Sequence, residues 1–166
     1  MNRLFAMLIL ATPLAAFGAT NPDASFFKHA AEGGLAEVDA GNLAQQKANG
    51  QNVKDFGAMM VKDHSAANDK LQAIATAKGI TLPTSPSVGQ MASKAKLDVL
   101  SGNAFDTSYI KGQVRAHEQT VGLFRKEIAS GQDADAKAFA KETLPTVRAH
   151  LKAIKAIAAQ AGIATK

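Results

Sequence analysis

Hydrophobic residues return along this chain at spacings of three and four, a rhythm that predicts helix almost throughout. Four long segments stand out. The first runs from about Ala24 to Ala48, with Asp23 and Ser25 as cap candidates and Asn49-Gly50 at its end. Asn52 is the expected cap of the second, which carries Asp55 in its first turn and is closed by Gly79. The third starts near Ala104 and stops at Ser130-Gly131, and the fourth runs from Asp133 to about Ala161. Between the second and third lies a longer piece opened by Pro83 and Pro86, in which Ser87 can cap a short helix through Leu100. Two hairpins joined by a crossover of roughly 25 residues predict an all-α, ferritin-like four-helix bundle over residues 24–162. An up-down-up-down bundle would need only a short loop there.

A rotation of about 100° per residue sorts each helix into faces. In the second helix Val53, Phe56, Met60, Leu71 and Ile74 share a side, and His64 falls near its middle. Ile110, Val121, Phe124 and Ile128 mark the apolar face of the third, with His117 among them. Phe139, Val147, Leu151 and Ile154 mark that of the fourth, and His150 lies within it. The first helix sets Glu37 among Phe26, Ala30, Gly33, Ala40 and Ala44, while His29 falls with Lys28 and Glu32 on its polar side. The small residues of that stripe suit close helix packing. Tyr109 faces the third-helix core as a packing residue, and Asp63, next to His64, is expected on a solvated face, with support of a metal ligand as the alternative.

Height along the bundle is the second test. Glu37 and His64 stand at matching distances from the turn at Gly50, and a crossover that makes the second and third helices parallel sets His117 level with them. His150 is off by about four residues, or roughly 6 Å at 1.5 Å per residue. Pro145 lies close enough to distort the local turn.

Three imidazoles and a carboxylate converging in a bundle core predict a mononuclear site for zinc, copper or iron. The metal set expected is Glu37, His64, His117 and His150. The competing expectation is a non-catalytic periplasmic structural or stress-associated interaction module, in which the same residues form a buried hydrogen-bond network that fixes helix register and binds no metal. A di-iron centre fits less well. It needs Glu-x-x-His pairs, and Val61 and Val147 stand three residues before His64 and His150.

The first residues change the picture of where the protein works. Arg3, an apolar run from Leu4 to Ala16 and Ala16-Phe17-Gly18 read as a signal peptide of residues 1–18 cut near Gly18/Ala19. An exported, periplasmic protein is expected, with no transmembrane segment once mature. The chain has no cysteine, which excludes disulfides, thiolate ligands and a cysteine nucleophile. Its net charge of +5 falls to about +4 with the leader, and its lysines are dispersed among few aromatics. Nucleic-acid binding is therefore not expected, whereas envelope or protein partners are. No serine sits in a strand-to-helix elbow, and the balance leans away from an enzyme.

The stretches FFKHAAEGGLAEVDAGNLAQQKA, VKDFGAMMVKDHSAAN, HEQTVGLF and TLPTVRAHL resemble the exported bacterial family known as domain of unknown function 4142. The resemblance covers the chain from about Ala24 to Ala161. It implies the ferritin-like bundle and marks Glu37, His64, His117 and His150 as the recurrent inward polar positions. It implies no reaction.

Overall fold

Among the described residues five helices form, α1 (Ala24–Lys47), α2 (Gln51–Ala77), α3 (Val88–Asp98), α4 (Gly102–Ser130) and α5 (Ala134–Gln160). The computed structural model describes residues 21–165, so the expected leader lies outside the described residues. Among the described residues there is no strand, and no helix is long and apolar enough to cross a membrane.

Two caps differ from expectation. α2 begins at Gln51 with Gly50 as its extended N-cap residue, so Asn52 falls inside the helix. Asp23 stands at the N-cap of α1 but makes no cap bond there. Its Oδ2 instead accepts from the backbone N–H groups of Gln132 and Asp133, at 2.8 and 2.5 Å. Asp106 of α4 does the same at the opposite end, accepting from Asn49 and Gly50 N–H at 3.0 and 2.8 Å. Each hairpin turn is thus held by an aspartate of the other hairpin. That long-range use of Asp23 outcompetes its local one, because a turn's backbone donors need partners wherever they are buried. Ser87 behaves as expected and forms a reciprocal capping box with Gln90.

α1 packs against α2 and α4, and α5 against α4 and α2. Chain direction follows from which residues meet. One apolar cluster joins Phe26 and Phe27 from the start of α1, Leu71 from late α2, Phe124 from late α4 and Phe139 from early α5. The other joins Leu43 from late α1, Val53 and Met60 from early α2, Phe105 from early α4 and Ile154 from late α5. Neighbouring helices are therefore antiparallel, α2 and α4 run the same way, and the crossover carrying α3 travels the length of the bundle. This is the expected ferritin-like arrangement.

α1 and α2 approach unusually closely at Gly41 and Gly57. A Cβ on Gly41 would lie 2.6 Å from the Gly57 carbonyl oxygen, and one on Gly57 would lie 2.7 Å from that of Gly41. Only glycine at both positions permits this spacing, which fixes α1 and α2 as one rigid hairpin. α3 differs from the other helices in burying no residue.

Candidate metal centre

Between the two apolar clusters lies a layer of a different kind. α2 contributes His64, α4 His117 and α5 His150, with ring centroids 5.9, 5.5 and 5.6 Å apart. Each ring offers one nitrogen, and these three nitrogens all lie within 4.8 Å of one another. His117 and His150 are buried; His64 keeps part of its surface exposed, yet its Nε2 is buried. Phe56, about two turns before His64 on α2, sets its ring edge-on to His117 and His150 at 6.1 and 6.4 Å.

Hydrogen bonds settle which nitrogens are free. His150 Nε2 lies 2.9 Å from Asp63 Oδ2, and a carboxylate only accepts, so Nε2 carries the proton and Nδ1 keeps its lone pair. His117 Nδ1 lies 2.9 Å from the Gln113 carbonyl oxygen, so Nδ1 donates and Nε2 keeps its lone pair. Those two lone-pair nitrogens and His64 Nε2 are buried with no hydrogen-bond partner. The bonds that orient the rings are the kind that orient metal-ligating histidines.

The electrostatics favour neutral rings at His64 and His150. Burial, with His117 and His150 beside it, pushes His64 down to about 3. Burial also lowers His150, against the opposing pull of Asp63. Neutral imidazole is the form that ligates. Burial raises the Glu37 carboxyl, while His117 and a side-chain hydrogen bond from Gln113 pull the other way.

Of the four residues expected to converge, the structure groups the three histidines. Glu37 is buried beside them, at 7 % exposure and with an unpartnered Oε2, but falls outside the set within 4.8 Å. Side-chain direction explains both this and the recovery of His150. Side chains on a helix lean toward its N-terminus. α2 and α4 start at one end of the bundle, so His64 and His117 lean toward that end. α1 and α5 start at the other, so Glu37 and His150 lean the opposite way. His150 sits a turn too far along α5, and its lean brings it back to the other imidazoles. Glu37, already level, is carried past them.

Two residues of the site have roles that the sequence left open or missed. Asp63, expected first on a solvated face, takes the alternative supporting role and anchors His150 across the α2–α5 contact. Gln113 was not singled out, and its one signal is a position four residues before His117 on the same face. His29, on the polar side as expected, is exposed and pairs with Glu32 at 3.3 Å.

The family described as a domain of unknown function, DUF4142, matches residues 10–157. The chain belongs to the DUF4142 family. Among solved structures, this DUF4142 protein is similar to a DUF305 protein from Streptomyces coelicolor, with a TM-score of 0.73 at 12% identity, covering 87% of this chain and 96% of that one. A DUF305 fragment from Deinococcus radiodurans superposes with a TM-score of 0.75 at 13% identity, covering 86% of this chain and 98% of that one. At these identities the likeness is one of fold. No curated protein matches the chain.

Proposed function

We propose that this DUF4142 protein is an exported helical bundle that binds one transition-metal ion, zinc, copper or iron, through His64, His117 and His150. One observation carries the reading: three clustered imidazoles, with one nitrogen of each within 4.8 Å of the others, each keep a buried nitrogen without a partner, two of them with tautomers set by Asp63 and the Gln113 carbonyl. A hydrogen-bond network built for stability would pair those nitrogens with donors, since an unpaired buried polar atom costs about 1–3 kcal/mol. Three imidazoles leave a fourth position open on an ion that takes four ligands. In this reading Glu37 supplies a carboxyl beside that position. Nitrogens within 4.8 Å of one another can close onto an ion with bonds of about 2.0–2.1 Å through small side-chain rotations.

Export rests on the expected leader at residues 1–18, and secretion has also been suggested for the Streptomyces protein of the same fold. Nothing in the layer forms a nucleophile–base pair, so the proposal is of binding.

Calorimetric titration of chelator-treated protein tests this. One Zn²⁺ or Cu²⁺ should bind per chain, His64→Ala, His117→Ala and His150→Ala should each abolish binding, and Asp63→Asn should weaken it about 10- to 100-fold. Stoichiometric binding that survives all three histidine variants would refute the centre. Absence of binding in the parent would leave the same residues as a buried polar network.

A further inference from the structure

α3 lies against α1 and α4 on the outside of the bundle, and its faces are the reverse of those of an ordinary surface helix. Its half-buried side carries Gln90, Lys94 and Leu97, of which Leu97 packs on an apolar cluster. Its solvent side carries Val88, Met91, Ala92, Ala95 and Val99, all exposed and all within an arc of about 100°. Val88 and Val99 are 80 % and 83 % exposed and Met91 45 %, and among the described residues these three are the exposed large hydrophobics. Val99, the C-cap residue, keeps helical dihedrals, so the stripe runs unbroken to the end of the helix. Single apolar residues on a surface are ordinary, whereas a stripe gathered on one helix marks an interaction face.

We propose that this face pairs with the same face of a second copy of the chain, antiparallel, about a two-fold axis passing between Ser93 and Lys94. The spacing selects that partner. Val88, Ala92, Ala95 and Val99 follow one another at intervals of four, three and four residues, an order that is the same from either end. A two-fold contact needs such self-complementarity, because residue i meets j of the partner while j meets i. Set antiparallel, Val88 meets Val99 of the partner subunit at both ends. Ala92 meets Ala95 of the partner subunit at the crossing, where small side chains let two helices approach closely. Charge disfavours the other occupants. One border of the stripe is the Lys94–Asp98 ion pair, at 2.9 Å, and the other carries Lys96, which offers little attraction to an anionic lipid surface or a polyanion. The dimer is weak, with a Kd of about 10–100 μM, since a pair of 11-residue helices buries less than the roughly 1,200 Å² of a stable interface. It needs no metal.

Sedimentation velocity of the chelator-treated chain, from micromolar to millimolar concentration, tests this with metal bridging removed. Monomer should give way to dimer across that range. Val88→Glu and Val99→Lys lie in solvent, and each agrees in charge with its end of the helix dipole, so both should fold. Each alone should weaken the dimer at least about tenfold, by setting a charge against a valine of the partner. The double variant Val88→Glu/Val99→Lys sets opposite charges together at both ends and should dimerise more tightly than either single variant. Losses that simply add in the double variant would contradict the antiparallel register. A chain that stays monomeric at millimolar concentration, or a dimer indifferent to Val88→Glu, would overturn the proposal. So would monomers that bind phosphatidylglycerol vesicles through Val88 and Val99, which would assign the face to a membrane.

Discussion

The two ends of the bundle and its middle are built on opposite principles. At the ends, Phe27 and Phe105 are fully buried in apolar clusters, with Phe26, Phe124 and Phe139 packed edge to face at one end and Phe105 stacked on Tyr109 at the other. In the middle, the same inward positions carry His64, His117 and His150, flanked by Glu37 and Gln113. Among the described residues, seven buried side-chain atoms lack a hydrogen-bond partner, and all but Glu127 Oε1 belong to this layer or to Tyr109 beside it. The ends contribute stability; the middle gives some of it up. Polar groups left unpaired in a core are costly, and their concentration in one layer separates the part of the molecule that folds it from the part that acts.

Truncation should expose that difference most sharply. Phe27→Ala leaves a cavity in the end cluster and should cost about 3–5 kcal/mol in denaturant unfolding. His117→Leu keeps similar volume in the middle layer and removes an unpartnered nitrogen, so metal-free stability should move by no more than about 1 kcal/mol in either direction. Comparable losses from both would erase the distinction between ends and middle.

A smaller effect is expected where the hairpin is fixed. Gly57→Ala sets a methyl against the Gly41 carbonyl oxygen and the Ala44 side chain, forcing α1 and α2 apart at a cost of about 1–3 kcal/mol. Gly33→Ala, whose Cβ meets nothing within 4 Å, should be neutral or stabilising by the same assay.

The effects of pH build up gradually, and they have opposite signs in the two regions. His64 is held down to about 3, so below the unfolded value of 6.5 the unfolded chain binds a proton that the native one refuses. Metal-free stability should therefore fall as pH drops from 6.5 toward about 3, by at most about 1.4 kcal/mol per pH unit. Glu127, near the α4–α5 turn, is raised from 4.5 to about 7 by burial and by Asp23 and Asp133. Here the native state holds the extra proton, so stability should rise as pH falls from about 7 to 4.5. Glu127→Gln should remove that rise and uncover the histidine-driven loss. An unchanged pH profile in Glu127→Gln would show that the turn carboxyl is not coupled to folding.

Much of this was legible in the sequence because helical periodicity, turn glycines and crossover length are local signals. They yield four long helices, the short one capped by Ser87, and an inward face for His64, His117 and His150. Three particulars depended on packing. Asp23 resembles an ordinary helix cap, and only the position of the α4–α5 turn reveals its use there. Asp63 lies one residue, about 100°, from His64, which reads as solvent until α5 is set alongside. Glu37 matches the histidines in height, yet height counts Cα positions, whereas ligation depends on where side chains lean.

The central claim is that the three free imidazole nitrogens form one metal-binding set. X-ray absorption of the zinc-loaded protein tests it most directly. The account predicts three imidazole nitrogens at about 2.0–2.1 Å, with the imidazole signal diminished and stoichiometric zinc lost in His117→Ala. A zinc spectrum dominated by oxygen ligands, or one identical in His117→Ala, would contradict it.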